Sequence, residues 1–247
     1  MIWETASAQS IGGRSTQEDA FAVVGEDGRT SLVLAVADGA GGHAAGERAS
    51  QAAIAHVRAQ GGTLPRDAAG ARPWLEKVVR GANAGVVALG GEGVSSPRTT
   101  IVVAWLGADR ALVAHVGDSR LYQFRNGRQV FRTSDHSVVQ ILLDLGRISE
   151  DEARSHPDRS RLLKALGGGE EIAVEVVEID IRPGDSLALC SDGVWDHVGT
   201  DEIGAALQAL DLDAAAGELV ARAVARGGAD ADNATLLLAR LSGQQAS

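Results

Sequence analysis

The chain has 247 residues, 45% hydrophobic and only 3% aromatic, which is long enough for one large domain or two small ones with an aliphatic core. Its net charge of −10 argues against nucleic acid or an anionic membrane as the main partner, and the single cysteine, Cys190, excludes a disulfide within the chain. Without an apolar stretch of ~20 residues or a signal peptide, the sequence predicts a soluble cytoplasmic protein.

Ten short segments rich in Val, Ile, Leu and Thr, bounded by turn dipeptides such as Asn126-Gly127, predict strands. In chain order they are 2–9, 20–26, 31–37, 99–106, 111–117, 120–125, 128–133, 172–181, 185–190 and 234–241. Apolar residues at three- and four-residue spacing predict helices at 44–60, 72–89, 137–145 and 213–226. Because strands come mostly in meanders and helices in separate blocks, we expect antiparallel sheets covered by helices.

The segment 134–170 differs from its surroundings, because it is polar, has helical character and interrupts the run of strands. We interpret it as an insertion packed on the sheet edge rather than an independent domain. The whole chain, 1–247, is then one domain with one inserted subdomain.

Aspartates recur at the mouths of the predicted strands. Three follow an apolar run, one precedes the last strand, and one follows Glu18 just ahead of a strand: Asp38, Asp118, Asp192, Asp232 and Asp19. A single Asp-Gly pair such as Asp38-Gly39 is usually only a turn that leaves a strand. Several similar placements favour a cluster of carboxylates instead, if the strands lie side by side.

Carboxylates so close together repel each other, and hard divalent cations with oxygen ligands relieve that repulsion. Histidine and cysteine are missing from the pattern, which favours magnesium or manganese over zinc. Glycine after Asp38 would allow its own carbonyl and a hydrated ion to approach the backbone closely.

Seven stretches together resemble the metal-dependent serine/threonine phosphatases, the protein phosphatase 2C family, in its bacterial single-domain form. They are GGRSTQEDAF (12–21), VADGAGGHAAGERAS (36–50), TTIVVAWL (99–106), AHVGDSRLY (114–122), TSDHSVVQILLDLGRIS (133–149), LALCSDGVWD (187–196) and DNATLLL (232–238). The resemblance implies a four-layer α-β-β-α sandwich, with 134–170 as the flap beside the active site.

The resemblance also implies roles for single residues. Asp38 would bridge two metal ions, with the Gly39 carbonyl on one of them, and Asp192 and Asp232 would be further ligands of the first. Four more positions match the family. Glu18 and Asp19 would hold water around the metals, and Asp118 matches the aspartate that helps to hold a third metal in bacterial relatives. Arg14 would bind the substrate phosphate. Two bridged cations lower the pKa of a shared water, and a guanidinium offers two parallel donors to phosphate oxygens.

One position departs from the family. Many eukaryotic members carry a histidine, proposed to protonate the leaving group, where this chain has Ala40. His43 is close in sequence, although a histidine in a glycine-rich loop is more often merely exposed. Gln17 replaces the usual asparagine before the acidic pair and keeps its amide chemistry.

Several other residues have ordinary structural interpretations. Cys190 ends an apolar strand and is expected in the core, while Ser119-Arg120 is expected to form a salt bridge that stabilises a turn. His115 is expected as a hydrogen-bonded sheet residue, His136 as a structural residue at the base of the flap, and Thr99 and Thr100 as packing residues.

We expect a phosphatase that hydrolyses phosphoserine and phosphothreonine with Mn²⁺ or Mg²⁺, using two core ions and a third in the manner of bacterial relatives. Phosphorylated proteins, a serine/threonine kinase and its targets would be its partners, and the chain would be a monomer. The alternative is a catalytically weak or inactive phosphatase fold that serves as a binding or regulatory module. Such proteins usually lose metal-binding aspartates, whereas every matched carboxylate and Arg14 are present here.

Overall fold

The computed structural model describes residues 2–25, 31–40, 44–90, 96–169 and 171–242. Its strands are β1 (Ile2–Ser10), β2 (Asp19–Val24), β3 (Leu32–Ala40), β4 (Arg98–Thr99), β5 (Ile101–Leu106), β6 (Arg110–Val116), β7 (Arg120–Arg125), β8 (Arg128–Arg132), β9 (Glu175–Asp180), β10 (Asp185–Cys190) and β11 (Ala234–Ser242). Its helices are α1 (Ala44–Ala59), α2 (Ala68–Val87), α3 (Val138–Asp144), α4 (Glu150–Arg154), α5 (Asp192–Trp195), α6 (Thr200–Ala206) and α7 (Leu212–Gly227).

The strands form two antiparallel sheets. One has the order β1-β11-β10-β7-β8, and the other has the order β2-β3-β5-β6-β9, with β4 paired to β3. Aliphatic side chains such as Leu34, Leu121, Leu189 and Leu237 fill the space between the sheets. Burial of this apolar area is the main stabilising contribution to the sandwich.

Helices cover both outer faces. Apolar residues of α1 and α2 pack on the sheet that contains β3, and those of α5, α6 and α7 pack on the sheet that contains β11. The predicted α-β-β-α sandwich is therefore confirmed. No helix within the described ranges combines the length and the apolar character that crossing a membrane requires.

The boundaries differ from prediction at two informative places. Strand β3 does not end at Ala37 but continues through Asp38 to Ala40, where Gly39 pairs with Thr99 of β4. Helix α2 begins four residues before the predicted start, because the Asp67 side chain accepts a hydrogen bond from the Gly70 amide and caps the helix there.

Residues 134–169 lie between β8 and β9 and hold only the two short helices α3 and α4, so this segment is less helical than its sequence predicts. Ser137 and Ser149 cap these helices through their side chains. Single bridges, Ser137 to Leu162 and Thr99 to Leu166, tie the segment to itself and to β4.

Candidate metal centre

Five of the predicted carboxylates converge at one end of the two sheets. Asp19 of β2 is directly opposite Asp38 of β3, and Asp192 begins α5 immediately after β10. The other two lie in the β6–β7 turn and just before β11; they are Asp118 and Asp232. The negative charges of Asp192, Asp19, Asp118 and Asp232 all raise the pKa of Asp38, in that order of size after burial itself.

The electrostatics of the cluster are unfavourable for ionised carboxylates. Burial is the largest cause of the raised pKa values of Asp19, Asp38, Asp118 and Asp192, and repulsion between the carboxylates adds to it. The pKa of Asp19 and that of Asp118 are each raised to about 8, that of Asp192 is raised to about 6, and that of Asp38 is raised well above its ordinary value. Asp19 and Asp118 are buried, while Asp38, Asp192 and Asp232 are partly exposed, so the cluster opens to solvent.

Protein contacts relieve part of this repulsion. The carboxyl groups of Asp38 and Asp192 are close enough to share a proton, which lowers the pKa of Asp192, and the Arg14 Nη2 donates to Asp232 Oδ2 over 2.6 Å. Arg14, expected to grip phosphate, is thus paired with an expected metal ligand. Within the described ranges, no three His, Cys, Asp or Glu side chains are already arranged around a single metal position.

The donor set fits a hard divalent cation. The Asp19 Oδ2 accepts hydrogen bonds from the hydroxyls of Ser191 and Thr235, each over 2.7 Å, while the buried Asp19 Oδ1 has no partner. A buried carboxylate oxygen without a donor is costly, and an ion or its water shell supplies the missing interaction. The converging groups are all carboxylate oxygens, the chemistry that Mg²⁺ and Mn²⁺ prefer.

Two threonines fix the backbone of Asp38. The amide of Asp38 donates to Thr100 Oγ1 over 3.0 Å, and its carbonyl accepts from the Thr100 amide over 2.8 Å and from Thr99 Oγ1 over 2.9 Å. Thr100 Oγ1 also lies 2.6 Å from Ser119 Oγ. The expectation that Thr99 and Thr100 only pack was incomplete, because a threonine ahead of a strand gives no signal that its hydroxyl faces an aspartate.

Replacing Thr100 with valine is expected to lower the free energy of unfolding by about 1–3 kcal/mol, because the Asp38 amide loses its acceptor. It should also lower the rate of phosphopeptide hydrolysis roughly 10-fold through displacement of Asp38. Thr133→Val is the matched control, since Thr133 is equally buried and accepts from the Leu121 amide over 3.0 Å. Equal losses of activity in the two variants, measured beside urea unfolding, would contradict this role for Thr100.

Gly39 is needed for packing. A Cβ at this position would lie 2.2 Å from the Gly46 carbonyl oxygen and 2.7 Å from that of Glu18. The glycine therefore lets β3 approach the first turn of α1. The sequence-based expectation was that this glycine makes room for an ion, whereas the contact seen here is with backbone. The Glu18 carboxylate lies in the same place, since a Cβ on Gly46 would be 1.9 Å from Glu18 Oε2.

Asn233 was not singled out in the sequence, although it organises the loop that carries Arg14 and Glu18. Its Nδ2 donates to the carbonyls of Ile11 and Thr16, and its Oδ1 accepts from the Glu18 amide over 2.7 Å. Gln17 Oε1 accepts from the Asp19 amide over 2.9 Å, so the amide chemistry expected of Gln17 is present.

The remaining candidates have structural roles. Cys190 is buried, and burial raises the pKa of its thiol to about 12, which is incompatible with a thiolate nucleophile near neutral pH. His115 of β6 hydrogen bonds the Ser134 carbonyl over 2.8 Å, and Arg120 forms the expected salt bridge, with Asp135. Ala40 ends β3, and His43 lies outside the described residues.

The protein phosphatase 2C family matches this chain over residues 8–229, which is most of its length. The chain therefore belongs to the protein phosphatase 2C family.

Three similar proteins illustrate that membership. The serine/threonine protein phosphatase PstP of Mycobacterium tuberculosis is 39% identical over 217 residues, covering 84% of this chain but only 40% of PstP. The serine/threonine phosphatase stp of Listeria innocua is 34% identical over 211 residues, covering 83% of each chain. The solved catalytic domain of PstP in complex with two manganese ions is 32% identical, with a TM-score of 0.82 over 98% of this chain and 99% of that one.

Proposed function

We propose that this chain hydrolyses phosphoserine and phosphothreonine in proteins with the help of Mn²⁺ or Mg²⁺. The observation that carries the proposal is the convergence of Asp19, Asp38, Asp118, Asp192 and Asp232. Burial and charge repulsion raise the pKa of Asp19, Asp38, Asp118 and Asp192, and one buried carboxylate oxygen has no donor. A protein keeps such an unfavourable arrangement when a bound cation compensates for it. The manganese complex of the PstP catalytic domain supports the choice of metal.

Individual roles follow from position. Asp38 would bridge two cations because it lies between Asp19 and Asp192, and the Gly39 carbonyl would contact one of them. Asp192 and Asp232 would complete the first site, and Asp118 would hold a third ion. When bound, these cations lower the pKa of water and neutralise charge on the phosphoryl group.

The other proposed roles belong to residues beside the ions. Asp19 would orient water through its free Oδ1, and Glu18, placed against the first turn of α1, would act on water rather than on an ion directly. Arg14 would release Asp232 once a cation takes over that carboxylate, and its half-exposed guanidinium would then hold two phosphate oxygens.

The biological setting is also part of the proposal. Phosphorylated proteins would be the substrates, and the phosphatase would oppose a serine/threonine kinase in the cytoplasm, acting as a monomer. The net charge of −10 supports a protein partner over nucleic acid or an anionic membrane. No observation favours the inactive alternative.

The test is hydrolysis of a phosphothreonine peptide with Mn²⁺, with EDTA, and by the Asp192→Asn variant. We expect turnover that requires Mn²⁺, that EDTA abolishes, and that the substitution lowers on the order of 100-fold or more, because it removes one anionic ligand. Asp109→Asn, at an exposed turn, is the control and should behave as the wild type. A wild-type protein that binds Mn²⁺ but hydrolyses no phosphopeptide would contradict the proposal.

A further inference from the structure

Trp195 joins the two segments that carry Asp118 and Asp192. Its indole Nε1 donates to the Asp118 carbonyl over 3.0 Å. Trp195 is the last residue of α5, and Asp192 is the first. The indole therefore sets the distance between the β6–β7 turn and the start of α5, and with it the separation of the two carboxylates.

Arg120 holds this indole in place. The guanidinium carbon lies 3.5 Å from the centroid of the Trp195 ring. The same guanidinium donates twice to Asp135, over 2.9 Å and 2.6 Å, and once to the Tyr122 hydroxyl over 3.1 Å. Because both members of the Arg120–Asp135 pair are largely buried, the stacked position of the guanidinium is well defined.

His136 holds the other side of the same turn. Its Nδ1 accepts a hydrogen bond from the Gly117 amide over 3.1 Å, and its own amide donates to the Gly117 carbonyl over 2.9 Å. The His136 ring stacks on His115, with centroids 4.7 Å apart and planes at 3°. Gly117 has a φ of +106°, and a Cβ there would lie 2.6 Å from Thr100 Cγ2, so the turn has little freedom to adopt another form.

The two sets of contacts start from adjacent residues, because Asp135 and His136 are neighbours at the start of the 134–169 segment. Asp135 is connected to Asp118 through Arg120 and Trp195. His136 is connected to Asp118 through Gly117. We propose that Trp195, Arg120, Asp135 and His136 are positioning residues that hold the Asp118 carboxylate at the metal centre. This inference rests on the proposed function, since it assigns these four residues to the cation that Asp118 would bind.

A positioning role differs from a structural role in one measurable way, because its effect must pass through Asp118. Removing the indole N–H should therefore weaken Mn²⁺ binding only while Asp118 is present. Coupled residues show such non-additivity in a double-mutant cycle, whereas independent ones add.

The experiment measures Mn²⁺ binding to the full chain by electron paramagnetic resonance of free Mn²⁺, independent of turnover. The proteins are the wild type, Trp195→Phe, Asp118→Asn and the double variant. We expect Trp195→Phe to weaken the binding step that Asp118→Asn weakens, on the order of 10-fold, as for other partners that orient a metal ligand. In the Asp118→Asn background, Trp195→Phe should have no further effect.

Trp3→Phe is the matched control, since Trp3 Nε1 donates to the Gly107 carbonyl over 2.9 Å in another part of the fold. It should bind Mn²⁺ as the wild type does. An equal effect of Trp195→Phe with and without Asp118, or no effect of Trp195→Phe or Asp118→Asn on binding, would overturn the inference. If all the proteins bind Mn²⁺ as expected but the wild type hydrolyses no phosphopeptide, only the proposed function is contradicted.

His136 supplies a second route to the same test. His136→Asn keeps a side-chain acceptor for the Gly117 amide, whereas His136→Leu removes it. We expect Mn²⁺ binding near the wild-type level in the first variant and the Trp195→Phe defect in the second. Two folded variants with the same Mn²⁺ affinity would overturn the role of His136.

Discussion

Replacing Asp38 with asparagine is expected to abolish nearly all activity while stabilising the metal-free protein. The hydrolysis rate should fall on the order of 10³-fold, the equivalent of the several kcal/mol that metal ions contribute to the transition state. The free energy of unfolding in EDTA should rise by about 1 kcal/mol or more, since asparagine has no charge to bury among Asp19, Asp118, Asp192 and Asp232. Phosphopeptide turnover and urea unfolding in EDTA, on the same preparations, measure the two effects.

A loss of activity together with a gain in stability distinguishes a functional residue from a structural one, whose replacement lowers both. Asp109→Asn is the control, because Asp109 occupies an exposed turn and its backbone carbonyl, which the substitution keeps, accepts a hydrogen bond from the Ile181 amide. It should leave both quantities unchanged. An Asp38→Asn protein that is less stable than the wild type in EDTA would show that Asp38 supports the fold, and one with full activity would refute the bridging role.

The metal-free protein is expected to lose stability as the pH rises from about 5 to about 8. The folded-state pKa values of Asp19 and Asp118 are raised to about 8 and that of Asp192 to about 6, above the ordinary value of 3.8. The folded state therefore binds more protons than the unfolded state in this range, and the stability present below pH 4 is lost as the pH rises through the folded-state values. We expect a fall of several kcal/mol in EDTA, measured by urea unfolding.

Saturating Mn²⁺ should remove or reverse this pH dependence, because cations bind the deprotonated carboxylates and bind them better at higher pH. The measurements are made above pH 5 because Glu202 has the opposite effect on stability in acid. Arg226 and Arg222 lower the pKa of Glu202 to about 2, so the stability that this carboxylate contributes is lost as the pH falls. A stability in EDTA that rises between pH 5 and pH 8 would contradict the raised pKa values of the cluster.

Much of the fold could be predicted from the sequence because its signals are local. The ten predicted strands and four predicted helices all correspond to elements of the structure, since apolar runs between turn dipeptides, as at Asn126-Gly127, specify them well. The continuation of β3 through Asp38 was missed because Asp-Gly is typical of a turn. Pairing of Asp38 with Asp19 of β2, and of Gly39 with Thr99 of β4 across 60 residues, extends the strand.

The sequence predicts the carboxylates of the candidate site but not the side chains that hold them in position. The apolar runs that lead into Asp38, Asp118 and Asp192 repeat one pattern in the sequence, and this repetition indicates convergence. The hydroxyls of Thr100, Ser191 and Thr235 and the stacked Trp195 leave no such pattern. Their roles depend on distant partners, and the Arg14–Asp232 ion pair likewise joins positions 218 residues apart.

Crystals grown with Mn²⁺ would show whether Asp38 and its neighbours hold divalent cations. Anomalous scattering at the manganese edge locates the ions independently of the protein coordinates. We expect peaks bonded to Asp38, Asp192 and Asp232, with the Arg14 guanidinium released from Asp232. Mn²⁺-grown crystals with no anomalous peak at Asp38, and with Arg14 still paired to Asp232, would contradict it.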